Sequence, residues 1–186
     1  MENKVRCAWC EKDDLYRDYH DNEWGKPVYD DDKLFEFLIL ETFQAGLSWY
    51  TILKKRENFR AAFDNFDYKK VANYGEEKVQ ELLQDAGIIR NQLKIRGTIS
   101  NAIAFIEVQK EFGSFSKYIW NFTDGKPIEN NRKSLKEVTA TTPLSDEISK
   151  DLKKRGFKFV GSTVVYAHMQ ATGMVNDHVM DCWTQK

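Results

Sequence analysis

Four residues near the two ends of the chain carry side chains that bind metal ions: Cys7 and His20 on one side, His178 and Cys182 on the other. An i,i+4 pair lies on one face of a helix, so the spacing predicts that His178 and Cys182 offer nitrogen and sulfur to one ion from a helical turn. Cys7 and His20 would complete a tetrahedral Cys2His2 set. Four protein donors leave no open position for water, so such a zinc would be structural and would tie the first segment to the last. Spacing alone accommodates two ordinary buried thiols and a polar loop histidine equally well. Cys7-Ala-Trp-Cys10 keeps a further ambiguity open, because C-x-x-C is itself a zinc or redox pattern and Cys10 competes for a place among the four. His168 is left over and reads as a core residue.

A second constellation is aromatic. Tyr16, Tyr19, Trp24 and Trp49 stand in or beside polar, turn-like sequence, and Glu41 precedes the glycine break at Gly46. Aromatic runs are more often core than pocket. Ring faces with a single carboxylate would nonetheless suit a flat cationic base, because the faces attract the cation and the carboxylate accepts from an exocyclic amine. A third constellation is Leu152-Lys-Lys-Arg-Gly156-Phe-Lys-Phe-Val-Gly161-Ser162. It predicts a helix, a glycine-bounded turn and a second helix whose first amides could receive one phosphate, although a plain helical hairpin has the same pattern.

These residues must be positioned by helices. Leu34, Phe35, Leu38 and Phe43 mark one amphipathic stretch, Trp49, Ile52, Leu53, Phe59 and Phe63 the next, then Val79, Leu82 and Leu83, then Ile99, Ile103, Ile106 and Val108. Ser48 is placed as an N-cap after the break at Gly46, and Gly87 as a C-terminal stop. From Gly113 to Pro143 the pattern loosens. Thr142-Pro143 then predicts a helix start, with a stop at Gly156 and another start near Ser162. Strand signals are few, which gives an all-α fold in a single domain over 1–186, with its termini (1–25 and 175–186) joined at the metal and a hairpin element over 143–175.

Composition adds boundaries. Lys+Arg number 28 against 29 Asp+Glu, so net charge neither requires nor forbids a polyanionic partner. Basic residues cluster at Lys54-Lys55-Arg56, at Arg90, Lys94 and Arg96, and at Lys150, Lys153-Lys154-Arg155 and Lys158. Three such clusters on one surface would track phosphates, but sequence does not place them on one face. With three cysteines and no apolar run of membrane or secretory length, the expectation is a cytoplasmic, monomeric protein without a disulfide framework.

Six motifs then carry a resemblance: Tyr19-His-Asp-Asn-Glu-Trp-Gly25, Gln44-Ala-Gly-Leu-Ser-Trp49, Leu53-Lys-Lys-Arg-Glu57, Gln84-Asp-Ala-Gly-Ile-Ile-Arg90, the hairpin Leu152 to Gly161, and Val175-Asn-Asp-His-Val179. In this order, over nearly the whole chain, the sequence resembles the bacterial DNA-3-methyladenine glycosylase I family. The resemblance implies a helix-hairpin-helix enzyme acting on double-stranded DNA that contains 3-methyladenine. It implies one structural zinc held by Cys7, His20, His178 and Cys182. In the base pocket it implies Glu41 as the recognising and catalytic carboxylate, Trp49 as the stacking face, and Tyr16 and Tyr19 as flanking aromatics, to which the aromatic constellation adds Trp24 as a substrate-binding candidate. Gly46 and Leu47 would enter the gap left by the extruded nucleotide, and Lys158 and Gly161 would grip phosphate. Asp177 reads as a helix N-cap. Thr163 stands where strand-cleaving relatives place a Schiff-base lysine, so a lyase step is not expected. The competing classes are a zinc-stabilised binding module and a small zinc hydrolase.

Overall fold

Asp30 starts the central helix. Its carboxylate accepts the Lys33 amide, Asp31 and Asp32 occupy the first turn, and α2 runs Asp31–Gln44. Every residue from Leu34 to Phe43 is buried. The stretch is therefore enclosed on all sides and not amphipathic as its spacing predicts; a helix apolar around its whole circumference belongs inside a fold. The computed structural model describes residues 4–185. In it α3 (Trp49–Lys54), α7 (Gln92–Phe112), α8 (Phe115–Asn121) and α10 (Ser162–Ala171) pack against α2. Around them lie α1 (Asp14–Asn22), α4 (Arg56–Ala62), α5 (Tyr68–Val71), α6 (Glu76–Gln84) and α9 (Pro143–Lys154). The fold is mostly helical, with one two-residue parallel pair in which β1 (Ile128–Glu129) meets β2 (Val175–Asn176).

Several local expectations change. The apolar stretch after Trp49 is split at Lys55 into α3 and α4. The inward face of α7 is Ile95, Ala102, Phe105 and Val108, while Ile103 is half exposed. Helix α6 ends at Asp85, whose side chain accepts the Gly87 amide, in place of a glycine stop. The loosely patterned 113–143 region holds α8, which Asp31 supports by accepting the Phe115 and Ser116 amides. Sequence spacing could not reveal that partner, because it lies more than 80 residues away.

The basic clusters are partly internal. Arg56 is buried between Glu23 and Glu36. Lys94 is buried and donates to the Phe43 and Ala45 carbonyls at 2.9 and 2.8 Å, satisfying acceptors at the end of α2. Arg96 pairs with Glu76, and Arg155 with Glu111 and Asp151. Lys54, Arg90, Lys150, Lys153, Lys154 and Lys158 stay exposed.

The α9–α10 hairpin forms as its punctuation predicts. Thr142 accepts the Ser145 amide while Ser145 Oγ accepts the Thr142 amide, Pro143 opens α9, and Gly156 takes φ +96° after it. Asn101 of α7 grips the turn, accepting from the Lys158 amide and donating to its carbonyl. Gly97 lets the turn approach, since a Cβ there would lie 2.8 Å from the Phe159 ring. Replacing Thr142 by alanine removes the cap and should cost about 1 kcal/mol, read as a lower melting temperature.

Candidate functional site

Cys7, His20, His178 and Cys182 converge: one donor atom from each lies within 4.8 Å of every other, and all four residues are buried. They lie close enough to bind a metal ion. Neither histidine is ambiguous about which nitrogen faces the cluster. His20 turns Nε2 to Cys182 Sγ at 3.5 Å while Nδ1 meets Asp21 at 2.8 Å. His178 turns Nδ1 to the sulfurs of Cys7 and Cys182, both at 3.7 Å, while Nε2 donates to the Trp24 carbonyl at 3.1 Å. Asp21 is held in turn by Arg6 and Trp183. Such outer partners fix the tautomer and aim of a ligating imidazole. Gly25 is required beside it, because with φ +76° a Cβ would sit 2.8 Å from His178 Nε2.

Two expectations about this region are corrected. His178 and Cys182 are not on a helix: the chain leaves β2, forms a bridge between Arg132 and Val179, and turns before a 3-10 segment at Trp183–Gln185. The turn, with the Cys182 amide bonded to the Val179 carbonyl, aims the two side chains together. Asp177 is not an N-cap but a fully buried carboxylate on β2's end, with four donors around it. Cys10 lies outside the cluster and donates its thiol to the Cys7 carbonyl. His168 is a core residue bonded to the Leu34 carbonyl.

Next to the cluster opens a cavity of about 370 Å³ whose lining includes Tyr16, Tyr19, Trp24, Trp49 and Glu41. Trp24 joins the two, packing edge-on against His178 at 4.6 Å. Helix α1 brings Tyr16 and Tyr19 to the cavity, and Tyr19 packs on Trp49 with centroids 5.3 Å apart. Glu41 comes from the enclosed part of α2. Its Oε2 is sealed from solvent and has no hydrogen-bond partner among the described residues, and Trp49 Nε1 is likewise unpartnered among them. Burial with no neighbouring cation pushes the Glu41 carboxyl up to about 8. Unpaired buried polar atoms are rare, so an acceptor and a donor left open beside one cavity mark a place where a ligand completes the structure.

The α2–α3 turn lies at the mouth. Gly46, with φ +84°, and the exposed Leu47 line a smaller adjoining cavity with Glu41, Gln44, Thr163 and Val164. It thus connects Glu41 to the first turn of α10, which begins at Gly161 with no side-chain cap. Lys158 is exposed on the preceding turn.

A flat-sided cavity with one buried carboxylate, a hairpin and a clasp between the ends of the chain can now be set beside known proteins. The profile of the methyladenine glycosylase family matches residues 9–185. This chain belongs to that family. Among methyladenine glycosylases it is 52% identical over 177 residues to DNA-3-methyladenine glycosylase 1 of Escherichia coli strain K12, covering 95% of each chain. It also matches a crystal structure of 3-methyladenine DNA glycosylase I with TM-score 0.94 and 51% identity, covering 96% of this chain and 98% of the other. A variant of a 3-methyladenine DNA glycosylase I solved in complex with 3-methyladenine matches with TM-score 0.94 and 35% identity over 97% of both chains.

Within this methyladenine glycosylase the cavity wall also contains Trp9, Gln44, Leu135, Val138, Gln170 and Asp177, none of which sequence reading assigned to it. Trp9 lies within Cys7-Ala-Trp-Cys10, Gln44 opens Gln44-Ala-Gly-Leu-Ser-Trp49, and Asp177 lies within Val175-Asn-Asp-His-Val179. Leu135 opens a three-residue 3-10 turn that Val138 closes, a segment too short to show periodicity, so no local signal could have pointed to them.

Proposed function

We infer that this protein is a monofunctional DNA-3-methyladenine glycosylase, working as one helical domain, which hydrolyses the N-glycosidic bond of 3-methyladenine in alkylated DNA and leaves an abasic site. The observation that carries this reading is the unpartnered, buried Glu41 carboxyl inside an aromatic-walled cavity in a chain of this family. Methylation at N3 gives the base a formal positive charge. A cation between ring faces and beside a carboxylate in a dry site is stabilised there far more than a neutral purine.

Glu41 binds and orients the lesion, Trp49 and Tyr19 cover its faces, and Tyr16 and Trp24 close the sides. When the bond between C1′ and the base breaks, its electron pair leaves with the base and neutralises the ring. No acid is needed to protonate the leaving group. Positive charge passes to the sugar, and water adds at C1′ while its second proton goes to solvent. The damaged base reaches the cavity by flipping out, at a lower cost than a well-paired base. Gly46 and Leu47, at the cavity mouth, fill the gap in the duplex. Helices α9 and α10 are read as a helix-hairpin-helix element, with Lys158 and the amides after Gly161 on a phosphate. Thr163 offers no amine, so no Schiff base forms.

Cys7, His20, His178 and Cys182 hold one structural zinc. The sulfur-to-nitrogen separations of 3.5 and 3.7 Å support this, because tetrahedral zinc with ordinary Zn–S and Zn–N lengths requires about 3.5 Å. The ion supplies a cross-link between the ends of the chain; with four protein donors it has no open position for a hydrolytic water.

The test is release of free base. Incubated with methylated double-stranded DNA, the purified protein should liberate 3-methyladenine, identified by chromatography, and leave alkali-labile abasic sites without cutting the strand. Binding to the same DNA with no base released would establish a binding module and overturn this reading.

A further inference from the structure

Asp177 accepts four hydrogen bonds: from Asn130 Nδ2 at 2.7 Å and Arg132 Nε at 2.9 Å on Oδ1, and from Tyr166 Oη at 2.6 Å and Gln170 Nε2 at 2.8 Å on Oδ2. The carboxylate is wholly buried and meets four donors, one of them the cationic Arg132. Both of its oxygens thus act as acceptors. Whatever faces it from Gln170 must therefore be the amide nitrogen, and the oxygen must occupy the other side. Arg132 Nη2 donates to Tyr166 Oη at 3.3 Å, so the tyrosine proton is also committed to Asp177. The hydrogen-bond network thus fixes the orientation of the Gln170 amide.

Helix α10 places this amide at the cavity. Thr163, Ala167 and Gln170 follow one another at i, i+4 and i+7 and share one face. Thr163 and Ala167 line the mouth beside Glu41, and Ala167 and Gln170 line the main cavity with Glu41 on the opposing helix α2. Among the described residues Gln170 Oε1 has no donor, and it is not one of the sealed, unpartnered atoms. The cavity therefore has an acceptor from each of two facing helices.

We propose that Gln170, oriented by Asp177 and Arg132, is a specificity-determining acceptor that selects purines with an amino group at C6 over purines with a carbonyl at C6. The proposal rests on the glycosylase reading above. An exocyclic amino group has two hydrogens, one for Glu41 and one for Gln170 Oε1. With Glu41 ionised by the cationic base beside it, a C6 carbonyl would face two acceptors, with a repulsive contact and an unpaired buried oxygen. Sites built to meet a donor reject analogues lacking it strongly, because their own polar groups are then left unpaired.

The test compares 3-methyladenine with 3-methylguanine, both released from the same methylated DNA, in single-turnover reactions with the native protein, Gln170→Met and Gln170→Leu. Binding of free 3-methyladenine and 3-methylhypoxanthine is measured in parallel above pH 8, where Glu41 is ionised without a cation beside it, by quenching of tryptophan fluorescence. The native protein should favour the amino base in both assays. Each variant should lower that preference by about tenfold or more, by losing the amino base and not the carbonyl base. Equal loss for both bases, or an unchanged preference, overturns the proposal, since a purely structural role moves both alike. If one variant does not fold, the other and the native free-base comparison still decide: a native protein that binds both free bases equally also overturns it. A native protein that releases no 3-methyladenine counts against the glycosylase reading, whereas release with a preference unmoved by the variants counts against Gln170 alone.

Discussion

Replacing Glu41 by glutamine should make the protein more stable while removing most of its excision of 3-methyladenine. The carboxyl is buried without any partner, and burial raises it from 4.5 to about 8. Between those values the folded protein keeps the proton that the unfolded chain has released, so native stability falls as pH rises through this window and levels off above about 8. At 1.36 kcal/mol per unit, the cost at the plateau is on the order of 5 kcal/mol. Glutamine has nearly the same shape and no proton to lose. The variant should therefore match the native protein near pH 4.5 and exceed it progressively up to pH 8 in denaturant titrations. A gap that does not grow with pH would mean that Glu41 is not a desolvated carboxyl.

The same property sets the catalytic effect. An incoming cationic base favours the ionised carboxylate, so capture of the lesion should strengthen as pH rises toward about 8 and then level off. Glutamine removes the charge that the cation meets, and single-turnover excision should fall on the order of a hundredfold with this pH dependence flattened. Retention of the native rate and profile would remove Glu41 from the mechanism. The site thus keeps a destabilising group whose benefit appears only with substrate bound, a pattern expected of functional positions.

Loss of Cys182 should have the largest effect on folding. Cys182→Ala removes one of four buried donors and leaves His20 and His178 without their shared sulfur. Structural zinc in small proteins contributes about 10–16 kcal/mol of binding free energy. Losing even part of it should cost on the order of 5 kcal/mol, because the cluster joins the chain near Cys7 to the chain near Cys182, where Trp183 adds its amide on the Val5 carbonyl and its indole on Asp21. Metal content and melting temperature should fall together. Chelation should depress the native melting temperature by a similar amount and leave the variant unmoved. Excision per folded molecule should change much less, since the donors lie behind Trp24 and not in the cavity itself. A variant with native stability and no chemistry would reverse the assignment of the metal as structural.

Local order was largely written in the chain. Ser48, Thr142-Pro143 and Gly156 mark helix ends because capping and left-handed turns depend on a few neighbouring atoms, and those helix ends form where the residue types put them. The four residues that lie close enough to bind a metal, and the carboxylate and rings that line one cavity, could be named from residue type and order. Their geometry could not. The sequence suggests a helix for His178 and Cys182, but a bridge to Arg132 and a tight turn aim them instead, because pairing with a distant strand overrides local spacing.

By itself, then, the order of residues determined the helix ends that carry caps and glycine stops, which side chains could bind a metal, and which carboxylate and rings could serve one chemistry. Only tertiary packing decided that α2 is enclosed and that Lys94 and Arg56 are internal anchors, not phosphate contacts. It alone also left Glu41 unpaired and turned one oxygen of Gln170 away from Asp177. The reason is physical: propensity and capping act over a few residues, whereas burial, charge pairing and the shape of a cavity are set by groups far apart in the chain that meet only after folding.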